Sequence, residues 1–322
     1  MQVKRTVSLC PTCYREVPGV VTIEDGVVRM NKLCPAHGES SGVLEVDPRF
    51  YLYCLEHPSP IYAGHLIDVT TRCNLSCKYC YFAVGNEDVP TAEVVNECMV
   101  NSGPFILTGG EPTLRPDLPE IIQKCSCIGP TYFLTNGTGL LDPDYLMACN
   151  EHVFKYNGFS GIGLSYHAEF GRFDEVMDTL RAYEVKPHTV FFVIDSIDQL
   201  EDVARFGEAN KGFIDIIRIK CASNVWNESG AGRVYASEVL NWFNARGQVL
   251  TPSGGKTVYF PFAQNGVTYS VISWHDVTNV DLLDIACPPT YRAKNGEVTD
   301  FVKAMLINEG LRKGWRKGAL CP

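Results

Sequence analysis

Three cysteines in one short segment constrain this chain more than any other feature of its sequence. Cys73, Cys77 and Cys80 have the spacing C-x3-C-x2-C. Three thiolates this close together can hold three irons of a [4Fe–4S] cube, which leaves the fourth iron open to a small molecule. The alternative is a structural zinc site, because cysteines at such spacings also bind zinc. Zinc needs a fourth ligand, however, and no His or Cys follows the three closely.

Two further motifs follow the cysteines at the ends of predicted strands. The segment FILTGGEPTLR (105–115) reads as a buried strand that ends in Gly109 and Gly110, where the backbone can turn and approach a ligand closely. The segments TYFLTNG (131–137) and GIGLSYH (161–167) are also apolar strands that end in small polar residues. The ordinary interpretation of those polar residues is a strand cap or a turn.

Together these segments resemble the radical S-adenosylmethionine (radical SAM) superfamily. The resemblance implies a [4Fe–4S] cluster on Cys73, Cys77 and Cys80 whose open iron chelates the amino and carboxylate groups of SAM. It further implies that one electron cleaves SAM to methionine and a 5′-deoxyadenosyl radical, which takes a hydrogen atom from substrate. The other roles it implies are adenine contact by Tyr79, amino-group contact by Gly109, Gly110 and Glu111, ribose contact by Asn136 and Ser165, and substrate contact by His167.

Two more predicted strands, at 189–194 and 214–221, add basic residues. Arg218 and Lys220 alternate with isoleucines and therefore share one face of their strand. The resemblance suggests that one of them pairs with the SAM carboxylate, and the alternative is an outward-facing pair on an edge strand. Cys221 ends the same strand, and one hypothesis is that it donates a hydrogen atom to a product radical.

The alternation of strands and helices between about residues 67 and 219 predicts an α/β fold with a parallel sheet. Six such strands resemble the partial (β/α)6 TIM-type barrel of the superfamily, with the site at the carboxyl ends of the strands. Residues 59–223 are the predicted core. Residues 224–322 match no recognised pattern and are expected to form an α+β cap over the open side of the barrel.

Residues 1–58 are predicted to form a separate metal-binding module. Cys10-Pro-Thr-Cys13 and Cys34-Pro-Ala-His37 are the two knuckles of a zinc ribbon, and Asp25-Gly26 marks a hairpin turn between them. The expected ligands are Cys10, Cys13 and Cys34, with His37 or Cys54 as the fourth. The metal is zinc, or iron held in a rubredoxin-like way, and its expected role is to fold the module. Such a module ahead of a radical SAM core resembles the branch with the archaeal pterin methylase-like proteins and the tetraether lipid synthases. Those relatives are longer, so much of their carboxyl-terminal equipment is expected to be missing.

Composition limits the class of protein. The chain has 322 residues, a formal net charge of −9 and 14 cysteines. The charge gives no general attraction to nucleic acid or acidic membranes. No apolar run reaches the length of a membrane span, and the first residues are too polar for a signal peptide. With a cluster motif, so many cysteines favour a reducing cytoplasm.

These features predict a radical SAM enzyme that abstracts hydrogen from an unactivated substrate carbon. Carbon–carbon bond formation, methyl or methylene transfer and rearrangement all remain open. The expected partners are a small-molecule or lipid-like substrate and an electron donor such as flavodoxin or ferredoxin. The alternatives are radical modification of a nucleotide or nucleic acid, which the basic tail at 312–317 would support, and a metal-folded binding module without activity.

Overall fold

A computed structural model describes residues 1–13, 15–56, 64–77, 80, 82, 84–221, 234–245, 259–264, 266–273, 291–292 and 298–299. Within these ranges the chain forms an amino-terminal antiparallel sheet and a larger, mostly parallel sheet with helices. The predicted α/β class with a small amino-terminal ribbon is confirmed.

The amino-terminal sheet has four strands in chain order: β1 (Gln2–Leu9), β2 (Glu16–Glu24), β3 (Val27–Cys34) and β4 (Gly38–Glu45). The β2–β3 turn has positive φ at both central residues, 51° at Asp25 and 78° at Gly26. A two-residue hairpin turn of the kind that matches strand twist requires this conformation, and Asp-Gly adopts it readily. The predicted hairpin is therefore present.

Helix α1 (Pro48–Glu56) connects the two sheets and packs on both. Tyr51 lies against Val21, Val28 and Met30 of the ribbon. Cys54, on another side of the helix, belongs to the core of the larger unit. One short helix therefore buries apolar surface in both directions.

The larger unit alternates strands with helices and short 3-10 turns. In chain order its elements are β5 (His65–Thr70), α2 (Thr91–Val100), β6 (Phe105–Gly109), α3 (Leu118–Ser126), β7 (Thr131–Thr135), α4 (Pro143–His152), β8 (Lys155–Tyr156), β9 (Phe159–Ser165), α5 (Phe173–Ala182), β10 (Pro187–Ile194), α6 (Leu200–Ala209), β11 (Ile216–Cys221), α7 (Ala236–Asn244), β12 (Tyr259–Gln264), β13 (Val267–Ser273), β14 (Tyr291–Arg292) and β15 (Val298–Thr299).

The six predicted core strands are present and parallel, in the spatial order β5, β6, β7, β9, β10, β11. Alternate side chains of each strand, such as Leu107, Leu164 and Ile219, form one core with the helices. We call the opposite face of the sheet the inner face. Because all six strands end at one edge, the loops that follow them meet there, as in other parallel α/β sheets.

The structure differs from the expected cap at β13. This strand forms a hairpin with β12 but also pairs in parallel with β11, so it extends the main sheet. Its residues Val267, Tyr269 and Val271 are buried in the same core, and α7 precedes it as a crossover helix. Part of the region after residue 223 therefore belongs to the sheet and does not cover it.

No helix among the described residues is long and apolar enough to cross a membrane.

Candidate functional site

The three cysteines lie on a loop that leaves and rejoins the carboxyl end of β5. Cys73, Cys77 and Cys80 are all half-buried. Backbone hydrogen bonds close the loop at its base: the Thr71 amide donates to the Glu87 carbonyl at 2.8 Å, and the Val89 amide donates to the Val69 carbonyl at 3.0 Å. Cysteine thiolates are the usual ligands of iron–sulfur clusters. Here the loop that carries the three cysteines is fixed at its base by these hydrogen bonds.

A bidentate ion pair holds the loop from the side. The Arg72 guanidinium donates to both carboxylate oxygens of Asp88, at 2.9 and 2.8 Å, and to the Leu114 carbonyl at 3.0 Å. Thr70 Oγ1 also donates to Asp88 at 2.6 Å. The residue immediately before Cys73 is thus tied both to the returning end of the loop and to the turn after β6.

The two glycines after β6 allow this loop to lie directly against the sheet. The amide of Gly110 donates to the Thr70 carbonyl at 2.9 Å, and the amide of Glu111 donates to the Arg72 carbonyl at 2.7 Å. A Cβ on Gly109 would lie 2.2 Å from the Thr70 oxygen, and one on Gly110 would lie 2.0 Å from the Arg72 oxygen. The sequence predicts that the backbone at Gly109 and Gly110 approaches a ligand closely. In the structure this backbone lies against the cysteine loop.

The side chain of Glu111 connects the ends of β6 and β7 from a buried position. Its side chain is 1% exposed. One carboxylate oxygen accepts hydrogen bonds from the Thr113 amide at 3.0 Å and from the hydroxyls of Thr113 and Thr135, each at 2.5 Å. The other oxygen accepts from the Asn136 amide at 2.6 Å. Burial raises the pKa of Glu111, and these donors oppose the rise.

Asn136 extends this network to the cysteine loop. Its side-chain amide donates to Asn74 Oδ1 at 2.9 Å, and Asn74 in turn donates to Thr138 Oγ1 at 2.9 Å. Asn74 directly follows Cys73, so the ends of β5 and β7 are connected by side chains. The ribose contact predicted for Asn136 stays a prediction, and the structure adds a second role that fixes the loop.

Arg115 is a further site residue, for which the sequence gives no signal beyond its place after the glycines. It is 4% exposed and donates to the Val69 carbonyl at 2.7 Å, to the Val89 carbonyl at 2.5 Å and to both oxygens of Asp117. A buried guanidinium with this many acceptors fixes the ends of β5 and of the cysteine loop relative to each other.

Four of the predicted site residues lie around the carboxyl ends of β9 and β11. Ser165 ends β9 and His167 follows it, both half-buried. In β11, Ile217 and Ile219 pack in the helix-side core, so the half-buried Arg218 and Lys220 face the inner side. The prediction that these two cations share a face agrees with this burial pattern. Tyr79 lies outside the described residues, and its adenine contact stays a prediction.

The placement of Cys221 corrects its predicted catalytic role. It is fully buried on the same face of β11 as Ile217 and Ile219, in the core with the helices. Burial, with Glu45 and Glu238 nearby, raises the pKa of its thiol. A side chain on the helix side of the sheet does not reach a substrate on the inner face, so hydrogen-atom donation by Cys221 does not fit this geometry.

The ribbon brings together a second donor set. The Sγ atoms of Cys10, Cys13 and Cys34 and a ring nitrogen of His37 all lie within 4.8 Å of one another. Cys34 Sγ lies 3.5 Å from His37 Nδ1, Cys10 Sγ lies 3.6 Å from the same nitrogen, and Cys13 Sγ lies 3.9 Å from Cys34 Sγ. Tetrahedral zinc with about 2.3 Å bonds to sulfur and about 2.0 Å bonds to nitrogen requires similar separations.

The surroundings of Cys10 favour its thiolate form. Burial acts to raise the pKa of Cys10, but the amides of Cys13 and Thr12 and the neighbouring thiols outweigh it and lower the pKa to about 6. Cys54 was the other predicted fourth ligand. It does not join the group, because α1 places it in the core of the larger unit.

Comparison with known protein families agrees with both sites. Residues 2–45 match the family described as HMPTM N-terminal zinc ribbon domain, and residues 67–219 match the radical SAM superfamily.

Among curated proteins, the chain resembles the 7,8-dihydro-6-hydroxymethylpterin dimethyltransferase of Methanocaldococcus jannaschii, with 31% identity over 49% of this chain and 39% of that protein. It also resembles the pre-heme d1 synthase of Dinoroseobacter shibae, with 33% identity over 41% of this chain and 38% of that protein. The GTP 3′,8-cyclase of Listeria monocytogenes is 28% identical over 50% of this chain and 56% of that protein. The matches thus span between about two fifths and little more than half of these relatives.

A solved structure of Streptococcus suis SuiB bound to the precursor peptide SuiA is 20% identical, covers 57% of this chain and 45% of that chain, and has a TM-score of 0.43. Each family match coincides with one of the two donor sets. The chain therefore carries a zinc ribbon domain followed by a radical SAM domain.

Proposed function

We propose that this protein cleaves SAM reductively and uses the resulting radical to abstract hydrogen from a substrate carbon. The observation that carries the proposal is the cysteine loop, with three half-buried thiols held at the carboxyl end of β5 by Arg72, Glu111 and Asn136. When bound there, a [4Fe–4S] cluster supplies the electron that breaks the carbon–sulfur bond of SAM.

The residues of the chain supply position and exclusion of water. Cys73, Cys77 and Cys80 would hold the cluster, and the backbone of Gly109 and Gly110 would hold the amino end of SAM. Ser165 on the inner face is the proposed ribose contact, and His167 the proposed substrate contact. Enclosure by the sheet and its loops protects a carbon radical from solvent, which is the part of such chemistry that a protein contributes.

The proposed outcome is methyl transfer or carbon–carbon bond formation on a small molecule. The relative named 7,8-dihydro-6-hydroxymethylpterin dimethyltransferase is 31% identical over 49% of this chain, which supports methyl transfer. A nucleotide substrate is the second candidate, because several GTP 3′,8-cyclases are among the relatives. Either reaction requires an electron donor, and zinc on the ribbon is the proposed structural metal.

The test is anaerobic reconstitution with iron and sulfide, followed by dithionite and SAM, with 5′-deoxyadenosine measured by mass spectrometry. Wild type should bind about four irons per chain for one cube and release 5′-deoxyadenosine. Cys77→Ala should lose both. Cys127→Ala is the matched control, since Cys127 is an exposed cysteine at the end of α3. Failure of wild type to cleave SAM, with metal bound only as zinc, would contradict the proposal.

A further inference from the structure

One row of side chains crosses the inner face over four neighbouring strands. Ser165 of β9 is paired in register with Phe191 of β10, Phe191 with Arg218 of β11, and Arg218 with Ser270 of β13. Residues next to them in sequence, Leu164, Val190, Ile217 and Tyr269, pack in the helix-side core. Since side chains alternate along a strand, the four members of the row all face the inner side.

Lys220 lies one layer nearer the carboxyl ends of the strands, on the same face as Arg218. The Lys220 ammonium lies 4.5 Å from the centre of the Phe191 ring, and the Arg218 guanidinium lies 5.6 Å from it. Both cations thus converge on one aromatic ring, whose face attracts each of them. Within the described part of the chain, Lys220 has no carboxylate partner.

The local environment is costly for the positive charge of Lys220. Burial, and then the charge of Arg218, lower the pKa of Lys220 to about 8. Next to Arg218, Ser270 is fully buried, and among the described residues its hydroxyl has no hydrogen-bond partner. The side chains of Lys220, Arg218 and Ser270 thus place two cations and a hydroxyl on the inner face of β11 and β13, which we call the wall. Carboxylates and phosphates bind such donors, and a bound anion would offset the cost of burying the charge of Lys220.

An oxyanion at this wall has two possible sources: the carboxylate of SAM, which is the expectation from sequence, or an acidic group on the substrate. Under the proposed function, the SAM carboxylate lies at the open iron, beside the cysteine loop after β5 and the glycines after β6. From β6 to β11 there are four strand steps, in the order β6, β7, β9, β10, β11. At about 4.8 Å per step this is about 19 Å along the sheet.

Because the sheet curves, the straight-line distance is shorter than this path. The strand order still favours the substrate, since β11 lies beyond β9, whose Ser165 is the proposed ribose contact, on the side away from the amino-acid end of SAM. We propose that Lys220 and Arg218, with Ser270, form an oxyanion subsite that binds a carboxylate or phosphate group of the substrate while SAM occupies the other side of the inner face. The inference rests on the proposed function for the identity of the second ligand. It places the substrate among acidic small molecules and orients its acidic end toward β11.

Binding measured by calorimetry tests the subsite without turnover. Inorganic pyrophosphate and malonate serve as probes of phosphate and carboxylate, each titrated into reconstituted full-length protein with and without saturating SAM. At least one probe should bind, and SAM should not displace it. Lys220→Met should weaken the binding of that probe at least tenfold, while the dissociation constant of SAM changes less than twofold.

Two variants make the result specific. Lys186→Met is the matched control. Lys186 precedes β10 and is exposed, and its ammonium lies 6.0 Å from the centre of the Phe159 ring, so the substitution should leave probe binding unchanged. Lys220→Arg keeps the charge and should keep most of the affinity, which separates loss of charge from loss of folding.

Three outcomes would overturn the subsite: probes that do not bind wild type, probe binding that Lys220→Met leaves intact, and a loss confined to SAM binding. The last would return Lys220 to the SAM carboxylate. Release of 5′-deoxyadenosine by the same wild-type preparation is measured in parallel. Its absence would count against the proposed function, whereas probe binding alone decides the subsite.

Discussion

Glu111 is the residue on which the geometry of the site most depends. Four hydrogen bonds reach its carboxylate from Thr113, Thr135 and Asn136. These interactions stabilise the ends of β6 and β7. A residue whose only task was to bind the amino group of SAM would not need to be 1% exposed and fully engaged with the protein.

Replacement of Glu111 by Gln tests this view. The NH2 group of glutamine would face the N–H and O–H donors that now bind the carboxylate. We therefore expect the free energy of unfolding to fall by about 2 to 4 kcal/mol even without SAM. Iron incorporation should fall with it. Glu120→Gln is the control, because Glu120 forms an exposed pair with Lys124 on α3 and should cost less than about 0.5 kcal/mol. Chemical denaturation of both variants gives the answer, and unchanged stability of Glu111→Gln would contradict the structural role.

The sequence reveals features whose residues are close together along the chain, and it reveals less about contacts between distant segments. The spacing of Cys73, Cys77 and Cys80 is local, so the cluster site can be predicted. The partners of Glu111 are predictable only in part, because Thr135 and Asn136 come from another strand. The place of Cys221 could have been predicted: if Arg218 and Lys220 share the inner face, Cys221 belongs to the opposite one.

At the level of secondary-structure elements, the close contact between the cysteine loop and the β6 turn is a backbone feature. Gly110→Ala would put a Cβ 2.0 Å from the Arg72 carbonyl oxygen, and neither backbone can move without breaking the hydrogen bonds between them. We expect loss of iron incorporation and a clear drop in the denaturation midpoint. Gly158→Ala, in the β8–β9 turn, is the matched control: it has a positive φ of 83° and nothing within 4 Å, so it should cost only about 1 to 2 kcal/mol. Equal effects of the two substitutions would contradict the contact.

The ribbon offers a second test at this scale, since the sequence leaves two choices for the fourth ligand. His37→Ala should reduce bound zinc, measured by mass spectrometry of metals, because it removes one of four converging donors. Cys54→Ala should keep the zinc and lower stability by about 1 kcal/mol, because it only removes buried sulfur from the core. Zinc loss on Cys54→Ala with retention on His37→Ala would reverse the assignment.

Strand β13 shows which part of the sheet the sequence does not determine. Its alternating pattern and the glycine before it predict a hairpin, and β12 and β13 do form one. The same pattern is equally compatible with parallel pairing to β11, which depends on the crossover through α7. Sequence periodicity specifies which face of a strand is buried, but the neighbour on its other edge is a tertiary property.

At the scale of the whole molecule, the ribbon and the larger unit meet at a buried carboxyl group. Glu45, the last residue of β4, is 3% exposed and accepts hydrogen bonds from the Ser237 hydroxyl of α7 at 2.5 Å and from the Val46 amide at 2.7 Å. Cys54 and Cys221 are close enough to Glu45 that its charge adds to the rise in their pKa values, so both remain neutral thiols. The contact between the two units therefore contains one group that titrates near neutrality.

Burial raises the pKa of Glu45 from 4.5 to about 7, against the hydrogen bonds from Ser237 that lower it. The folded state thus holds a proton that the unfolded state releases between these two values. The stability from this group is fully present below pH 4.5 and is lost as pH rises through about 7. At about 1.4 kcal/mol per pKa unit, the change is on the order of 3 kcal/mol.

Glu45→Gln isolates the pH-dependent contribution of Glu45 to the free energy of unfolding, because the amide of glutamine stays neutral at every pH. The metal ligands of both units also titrate, but they are the same in the two proteins and cancel in the difference. Measured by chemical denaturation, the stability of wild type relative to Glu45→Gln should fall between pH 5 and pH 8. Ser237→Ala should weaken the contact without removing its pH dependence, since the titrating group remains. A difference between wild type and Glu45→Gln that stays constant over this range would mean that Glu45 is ionised throughout, and that the two units meet at a buried charge.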